Sequence, residues 1–486
     1  MNTWKLKIDK FLSKYSFFVF AIITLLIILY RVPFWDETHA FEIARLKLSE
    51  ILALTRIEGH GALWYLIIKP FSSLKLYPYS MLIINWLFCL GAIFILWEKA
   101  PFSPIVKTLI TFSVPFLLYF APVARCYSIG ILLLFIICSL YNIRFKKPLL
   151  FASLIGLAAN TSILVAICSF FIGLLFLQDI SIEIKNKKLQ KKNLFLTILI
   201  FLGFSLLLLS QLINGRKAEL EYETLFFAYF LDFVAFPQNT NILASVYRII
   251  GTISVYTFAF LSFKHERKGL FFIFGSYLTL TLLFLNIYSG SQWNHFFYFI
   301  YFVIFAWVFG EKILKNKFAY FLFIAILFLS LFPKAILKTG KFDYIYNSNS
   351  KKIANHIIQN ENYSKFKLYT LEWWSDIAPG ATTYLAQKNI YIYDYHNNKR
   401  NSFASIKNIF NAKHEPIDFD YFYQNMDKNG YLISANALFK QKFKNLTVYI
   451  MPNGDYILTT KNKKYLLKQI EKMNNIDIYF YKISEI

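Results

Sequence analysis

Apolar runs of about 17 to 22 residues recur along this chain from Phe17 to Phe332. Each is long enough to cross a hydrocarbon core of about 30 Å as a helix. Inside lipid every backbone N–H and C=O needs a partner within the protein, so only helices or closed barrels span it. The runs lack the in–out alternation of barrel strands. They therefore predict a polytopic helical bundle. Composition agrees, because 57% of the 486 residues are hydrophobic, more than a soluble domain usually carries. The first run has basic flanks, no small-residue cleavage site and many runs behind it. It reads as a span and not as a secretory signal.

A net charge of +24 invites a nucleic-acid reading, but the placement of the cations excludes it for the body. They sit in short clusters between the apolar runs, as the positive-inside rule describes. The five clusters are Lys5–Lys14, Arg144–Lys147, Lys185–Lys192, Lys264–Lys268 and Lys312–Lys317. Placing all of them in the cytoplasm requires an even number of crossings between consecutive clusters. Gly61 to Trp97 decides the count. If Ala62–Leu74 is a juxtamembrane helix and not a span, every cluster falls inside. The expected spans are then 16–31, 79–97, 107–123, 126–143, 148–162, 163–179, 194–213, 242–262, 269–287, 295–310 and 317–333, about eleven in all. The chain is expected in the plasma (inner) membrane, N-terminus cytoplasmic and C-terminal domain extracytoplasmic. Arg31–Tyr77, Asn214–Asn241 and Ser289–His295 would face outside.

From about Pro333 the chain turns polar and aromatic. Strand-like runs recur at Lys367–Leu371, Ile390–Tyr393, Leu446–Ile450 and Ile476–Phe480. Helical periodicity recurs near Lys351–Asn360 and Lys463–Met473. The expectation is a transmembrane domain over 1–333, with a first external loop at 31–77, and a soluble α/β domain over 334–486. The four cysteines, Cys89, Cys126, Cys138 and Cys168, fall in or beside apolar runs without metal or disulfide spacing. They read as small packing residues.

The candidate chemistry collects on the outer side of this topology. Arg31-Val-Pro-Phe-Trp-Asp-Glu-Thr-His39 and Glu58-Gly-His60-Gly set carboxylates and imidazoles at a membrane boundary. Asp36 opens a helical pattern over Thr38–Leu54, amphipathic and suited to lie along the membrane surface. It is read as an N-cap, with Glu37 favouring the positive end of the dipole, and also as a general base or metal ligand. The two readings are compatible, since a cap fixes geometry. His60, between glycines, suits a phosphate, a metal or a helix cap. Arg125 and Arg248 lie at or inside the outer ends of spans. A guanidinium there either snorkels to headgroups or binds a lipid phosphate through paired donors. His295 is an interfacial histidine or a phosphate ligand.

In these residues the chain resembles the GT-C superfamily of membrane glycosyltransferases, in particular bacterial relatives of the protein O-mannosyltransferase and aminoarabinose transferase group. The resemblance lies in the acidic pair Asp36-Glu37 after the first span, the segment Gly61-Ala-Leu-Trp-Tyr-Leu-Ile-Ile68, the element Ala124-Arg-Cys-Tyr127, and a polar domain after the last span. It implies a transferase that moves a sugar, with inversion, from a polyprenyl-phosphate donor to an extracytoplasmic glycan, lipid or protein. Asp36 would be the base, with Glu37 and Glu58 in support. Arg125, Tyr127, Arg248, His60 and His295 would bind the donor phosphate. A divalent metal, Mg or Mn, is left open as cofactor, with Asp36 and His39 as its ligands. The partners implied are the lipid-linked donor, membrane lipids and the acceptor, and no nucleic acid. The sequence departs from the family pattern at Gly61, where a proline is usual, and at Asn294-His295, where an arginine–histidine pair is common. A polysaccharide polymerase, a lipid-linked sugar transporter or flippase, and a polymer-binding scaffold are the rival readings.

Overall fold

A computed structural model describes residues 2–58, 60–212, 266–286, 292–311, 314–331, 348–370, 380–394, 419–435, 447–451, 455–460, 463–473 and 478–486, with positions 257, 260, 261, 377 and 476 between them. Arg248 and the segment 214–241 lie outside the described residues, as does the side chain of Glu58. The chain divides into two compact units. The first comprises Met1–Tyr30, Thr55–Ile67 and Met81–Phe342. The second comprises Arg31–Leu54, Ile68–Ser80 and Asp343–Ile486.

The described helices of the first unit include α1 (Asn2–Tyr30), α5 (Tyr79–Lys99), α6 (Pro104–Thr111), α7 (Tyr127–Leu140), α8 (Pro148–Ala159), α9 (Ile163–Lys185), α10 (Lys191–Leu212), α11 (Arg267–Asn286), α12 (Gln292–Phe309) and α13 (Lys317–Leu329). Five are long and apolar enough to cross a membrane, namely α1, α5, α9, α10 and α11. The helices in the stretches expected over 107–123, 126–143, 148–162, 295–310 and 317–333 are shorter, and the span expected over 242–262 lies almost wholly outside the described residues. The stretch expected as one span over 107–123 is broken, because α6 ends at Thr111 and a single π turn occupies Pro115–Phe120. Pro115 cannot donate the backbone bond that would continue α6. The α8 helix has 12 residues, about 18 Å of rise, and gives way to a turn at Asn160–Thr161 before α9. All four cysteines are buried and outside any disulfide, as expected of packing residues.

Packing here is apolar and aromatic, with small residues at close helix approaches. A Cβ on Gly275 would collide with the ring of Phe171, and one on Gly156 with Phe204. Several of the polar groups inside are paired. Asn85 donates to the carbonyls of Phe120 and Ala121 at 2.9 and 3.1 Å, beside the π turn. Tyr277 donates to the Tyr298 carbonyl at 2.8 Å, and Trp86 to Thr24 at 2.9 Å. Asp179, 3% exposed, accepts from Arg144 at 2.8 Å and from Lys268. That carboxylate ties α9 to the turn after α7 and to the start of α11.

The second unit joins residues far apart in sequence. Its early stretches hold α2 (Trp35–Arg45), most of α3 (Leu48–Glu58) and single 3-10 turns at Lys69–Phe71 and Leu74–Leu76. The α4 helix between them is only six residues, Leu63–Ile68, about 9 Å long. It is too short to cross a bilayer, and shorter than the helix expected over Ala62–Leu74. The C-terminal stretch holds α14 (Ser350–Gln359), α15 (Glu361–Lys365), α16 (Gly380–Ala386), α17 (Phe419–Asn425) and a seven-stranded mixed sheet. The strands are β1 (Leu368–Thr370), β2 (Ile392–Asp394), β3 (Tyr431–Ala435), β4 (Thr447–Ile450), β5 (Tyr456–Thr459), β6 (Lys464–Lys472) and β7 (Ile478–Glu485), in spatial order β2-β1-β3-β7-β6-β5-β4. Strand β1 runs parallel to β2 and β3, and the remaining pairings are antiparallel. The parallel pairs need crossovers, and α16 and α17 lie in them. One core packs Ile353, Ile357, Ala381 and Leu385 of α14 and α16 on Leu368, Ile433 and Phe480. The opposite core packs Phe422 and Tyr423 of α17 on Leu432, Tyr465 and Leu467.

Two expectations are corrected here. The segment 463–473 is strand β6 and not a helix. Its Tyr465 and Leu467 point inward at a spacing of two, as a strand requires, and the adjacent Leu466 and Ile470 imitate helical spacing. The amphipathic helix expected over 38–54 is two helices, broken at Leu46–Lys47. Its first part buries every residue from Glu37 to Ala44, with no solvated face along that stretch.

Candidate functional site

In the second unit the candidate acids stand on α2, and the sequence around that helix explains how it is fixed. Its N-cap is Phe34 and not Asp36. The cap function belongs to Glu37, whose carboxylate accepts from the Phe34 backbone N–H at 3.1 Å. Arg31 also donates to both oxygens of Glu37, one of them at 3.0 Å. Both side chains are buried, so the pair exchanges hydration for a fork of charge-assisted bonds. Glu37 is thereby a structural anchor for the first turn. Asp36, beside it, is only half-buried and lies in that same turn, where the helix dipole favours a negative charge.

Further along α2, Thr38 and the Tyr77 hydroxyl are hydrogen-bonded at 2.8 Å. The Tyr77 ring packs on Phe41 with centroids 4.8 Å apart and on Tyr384 at 5.0 Å. Burial pushes the Tyr77 phenol well above its ordinary range, so it stays neutral. Glu42 accepts from Thr383 at 2.7 Å and from Arg45 at 2.6 Å. Burial raises the proton affinity of Glu42, while Arg45, Thr383 and the nearby His39 lower it. Lys69 donates to the carbonyls of Ala44 and Leu46, satisfying the last turn of the helix.

His39 is buried, three residues beyond Asp36 on α2. Such a spacing places two side chains on neighbouring positions of a helix face. Among the described residues, no three His, Cys, Asp or Glu side chains gather as a metal site would need. Asp36 and His39 alone do not make the donor set of a divalent ion.

In the first unit, three candidates, Arg125, His60 and Tyr127, meet Asn294 among apolar helices. Arg125 sits between the π turn and α7, and is 8% exposed. Its guanidinium donates to Nε2 of His60 at 3.2 Å. An arginine can only donate, so Nε2 accepts and the imidazole proton sits on Nδ1. The backbone of His60 bridges Ser162, at the start of α9. The Tyr127 ring stands edge-on to His60 with centroids 6.0 Å apart. Its hydroxyl donates to Asn294 Oδ1 at 3.1 Å. His295 is the next residue on α12 and packs its ring against Phe284 at 4.7 Å. A guanidinium, an imidazole, a phenol and an amide thus line one neighbourhood in apolar surroundings. They form a donor-rich set suited to an anion.

Sequence reading groups Arg125, Tyr127, Arg248, His60 and His295 as phosphate ligands, and of these Arg125, Tyr127 and His60 are neighbours in the structure. It missed Glu42 and Thr383 as partners. Glu42 and Arg45 at i and i+3 signal an ion pair, but nothing local announces Thr383. Glu58 closes α3. Neither the family models nor the curated proteins compared with the chain give a match.

Proposed function

We propose that the chain is a membrane glycosyltransferase of the GT-C type, moving a sugar from a polyprenyl-phosphate donor to an extracytoplasmic glycan, lipid or protein. The observation that carries this reading is the Arg125–His60 contact with Tyr127 and Asn294, a polar cluster held among apolar helices. A cation kept at low exposure in such surroundings usually serves a ligand, and the anion that reaches it from the bilayer is a lipid phosphate. The proposal includes the topology of about eleven crossings with all basic clusters in the cytoplasm.

In this reading the acceptor hydroxyl or amine attacks the anomeric carbon, and the bond from that carbon to the phosphate oxygen breaks. The acceptor proton passes to Asp36, and polyprenyl phosphate leaves. Arg125 neutralises the charge that grows on the leaving phosphate, and His60 and Tyr127 offer it hydrogen bonds. Glu37 acts through Asp36 by fixing the first turn of α2. Arg248, Glu58 and His295 remain candidates on sequence grounds.

The test is donor turnover. The protein, purified in lipid, is given a panel of polyprenyl-phosphate sugars with an envelope acceptor extract, with and without Mg or Mn, and free polyprenyl phosphate is followed. Release that falls on the order of a hundredfold or more in Asp36→Asn is expected for a general base. Full turnover by Asp36→Asn would remove Asp36 from the chemistry. Absence of release with every donor would turn attention to a polymerase or a transporter.

A further inference from the structure

We infer that Glu42 and Thr383 are positioning residues, whose hydrogen bond fastens the helix carrying Asp36 to the C-terminal sheet domain. The two lie 341 positions apart in sequence and 2.7 Å apart in space. Glu42 belongs to α2, and Thr383 to α16, the crossover helix between β1 and β2. Both residues are buried, Glu42 at 7% and Thr383 at 1% exposure. Both oxygens of Glu42 are engaged, one by Thr383 and the other by Arg45.

A carboxylate is costly to bury unless its bonds are fulfilled. An apolar residue would fill the same space without that cost, so a glutamate here serves direction more than packing. Its bond has one geometry, and it sets the rotation of α2 about its axis. Asp36 lies six residues, about one and two-thirds turns, earlier on the same helix. A rotation of α2 therefore swings the Asp36 carboxylate.

A second connection within the unit runs parallel to the first. Tyr77 contacts Thr38 on α2, packs against Tyr384 on α16, and accepts from Gln387 through its carbonyl at 3.5 Å. Thr383, Tyr384 and Gln387 thus present one stretch of the C-terminal domain to the loop that follows α1. The sheet anchors that stretch, since α16 packs Ala381 and Leu385 into the core over β1 and β3. The C-terminal domain accordingly acts as the template that holds the acid-bearing helix. Its catalytic consequence rests on the transferase reading of Asp36, and its structural part does not.

The experiment uses the full chain in lipid, with Thr383→Val, Glu42→Gln and the conservative Thr383→Ser. Amide hydrogen exchange over Trp35–Arg45 is read first. Thr383→Val should exchange about tenfold faster or more, the factor that a lost hydrogen bond to a charged group carries, and Thr383→Ser should restore wild-type protection. Unchanged exchange in both Thr383→Val and Glu42→Gln would overturn the fastening. Donor turnover is read second. Thr383→Val should lower kcat at nearly constant donor KM, with Thr383→Ser restoring it. Loosened α2 with unchanged kcat would overturn the positioning role. If no donor is turned over by the wild type, the transferase reading fails, while the exchange result still decides the fastening.

Discussion

The two units bury charge in contrasting ways. In the helical unit Asp179 is a single carboxylate shared by two cations, Arg144 and Lys268, which remain in partial contact with solvent. Around it the packing is aromatic and aliphatic. In the second unit Glu37 and Glu42 each sit inside a dense set of bonds on one short helix. The helical unit could lose a polar pair and keep its packing. The α2 region depends on its charged bonds to hold one geometry. Specificity of position, more than bulk burial, is what these carboxylates contribute there.

That contrast is open to direct challenge. The largest effect is expected from Glu37→Ala, which removes the carboxylate that takes two bonds from the buried Arg31. A loss of roughly 3–5 kcal/mol in the unfolding of the second unit is expected, read by denaturant titration with a probe in the sheet domain. Asp179→Asn should cost less, about 2 kcal/mol, because Arg144 and Lys268 can turn partly to solvent. A greater loss from Asp179→Asn than from Glu37→Ala would reverse the comparison. Thr383→Val should cost about 1–2 kcal/mol, since one hydrogen bond to a charged group is removed with little change of shape.

The smallest effect is a dependence on pH. Burial holds the Glu42 carboxyl above the ordinary carboxylate range, with Arg45, Thr383 and His39 pulling it part of the way back. The folded chain then binds this proton more tightly than the unfolded chain. The contribution of Glu42 is greatest below the ordinary carboxylate range and declines as pH rises through the folded value. The unfolding midpoint of the wild type minus that of Glu42→Gln should therefore fall with rising pH across that window. A difference that rises with pH would show that the partners outweigh burial.

How much could be read in advance follows the same division. Helices α1, α5, α9, α10 and α11 were legible because each is a continuous apolar run, a local property. The breaks were harder to see. Pro115 lies inside an apolar run whose hydropathy gives no sign of the π turn. Strand β1 and helix α14 followed from local pattern, whereas β6 did not, because Leu466, Leu467 and Ile470 satisfy a helical spacing by chance. For the site, residue type and neighbourhood pointed to Arg125, Tyr127 and His60. Their convergence depends on the crossing of α7 with the Ser162 turn, which no local pattern encodes. Asp36 suits a cap by residue type alone. Glu37 holds that role because Arg31 and the Phe34 amide meet it from outside the helix. Thr383 was invisible, being an ordinary threonine that gains its meaning from a helix 341 positions away.

The central claim is that the polar cluster around Arg125 receives a lipid-linked phosphate. It is tested most directly by donor saturation curves for the wild type and Arg125→Gln in lipid, following release of polyprenyl phosphate from the donor that the panel identifies. Loss of one guanidinium–phosphate interaction should reduce kcat/KM by on the order of tenfold to several hundredfold. Identical saturation curves for the two proteins would contradict the account.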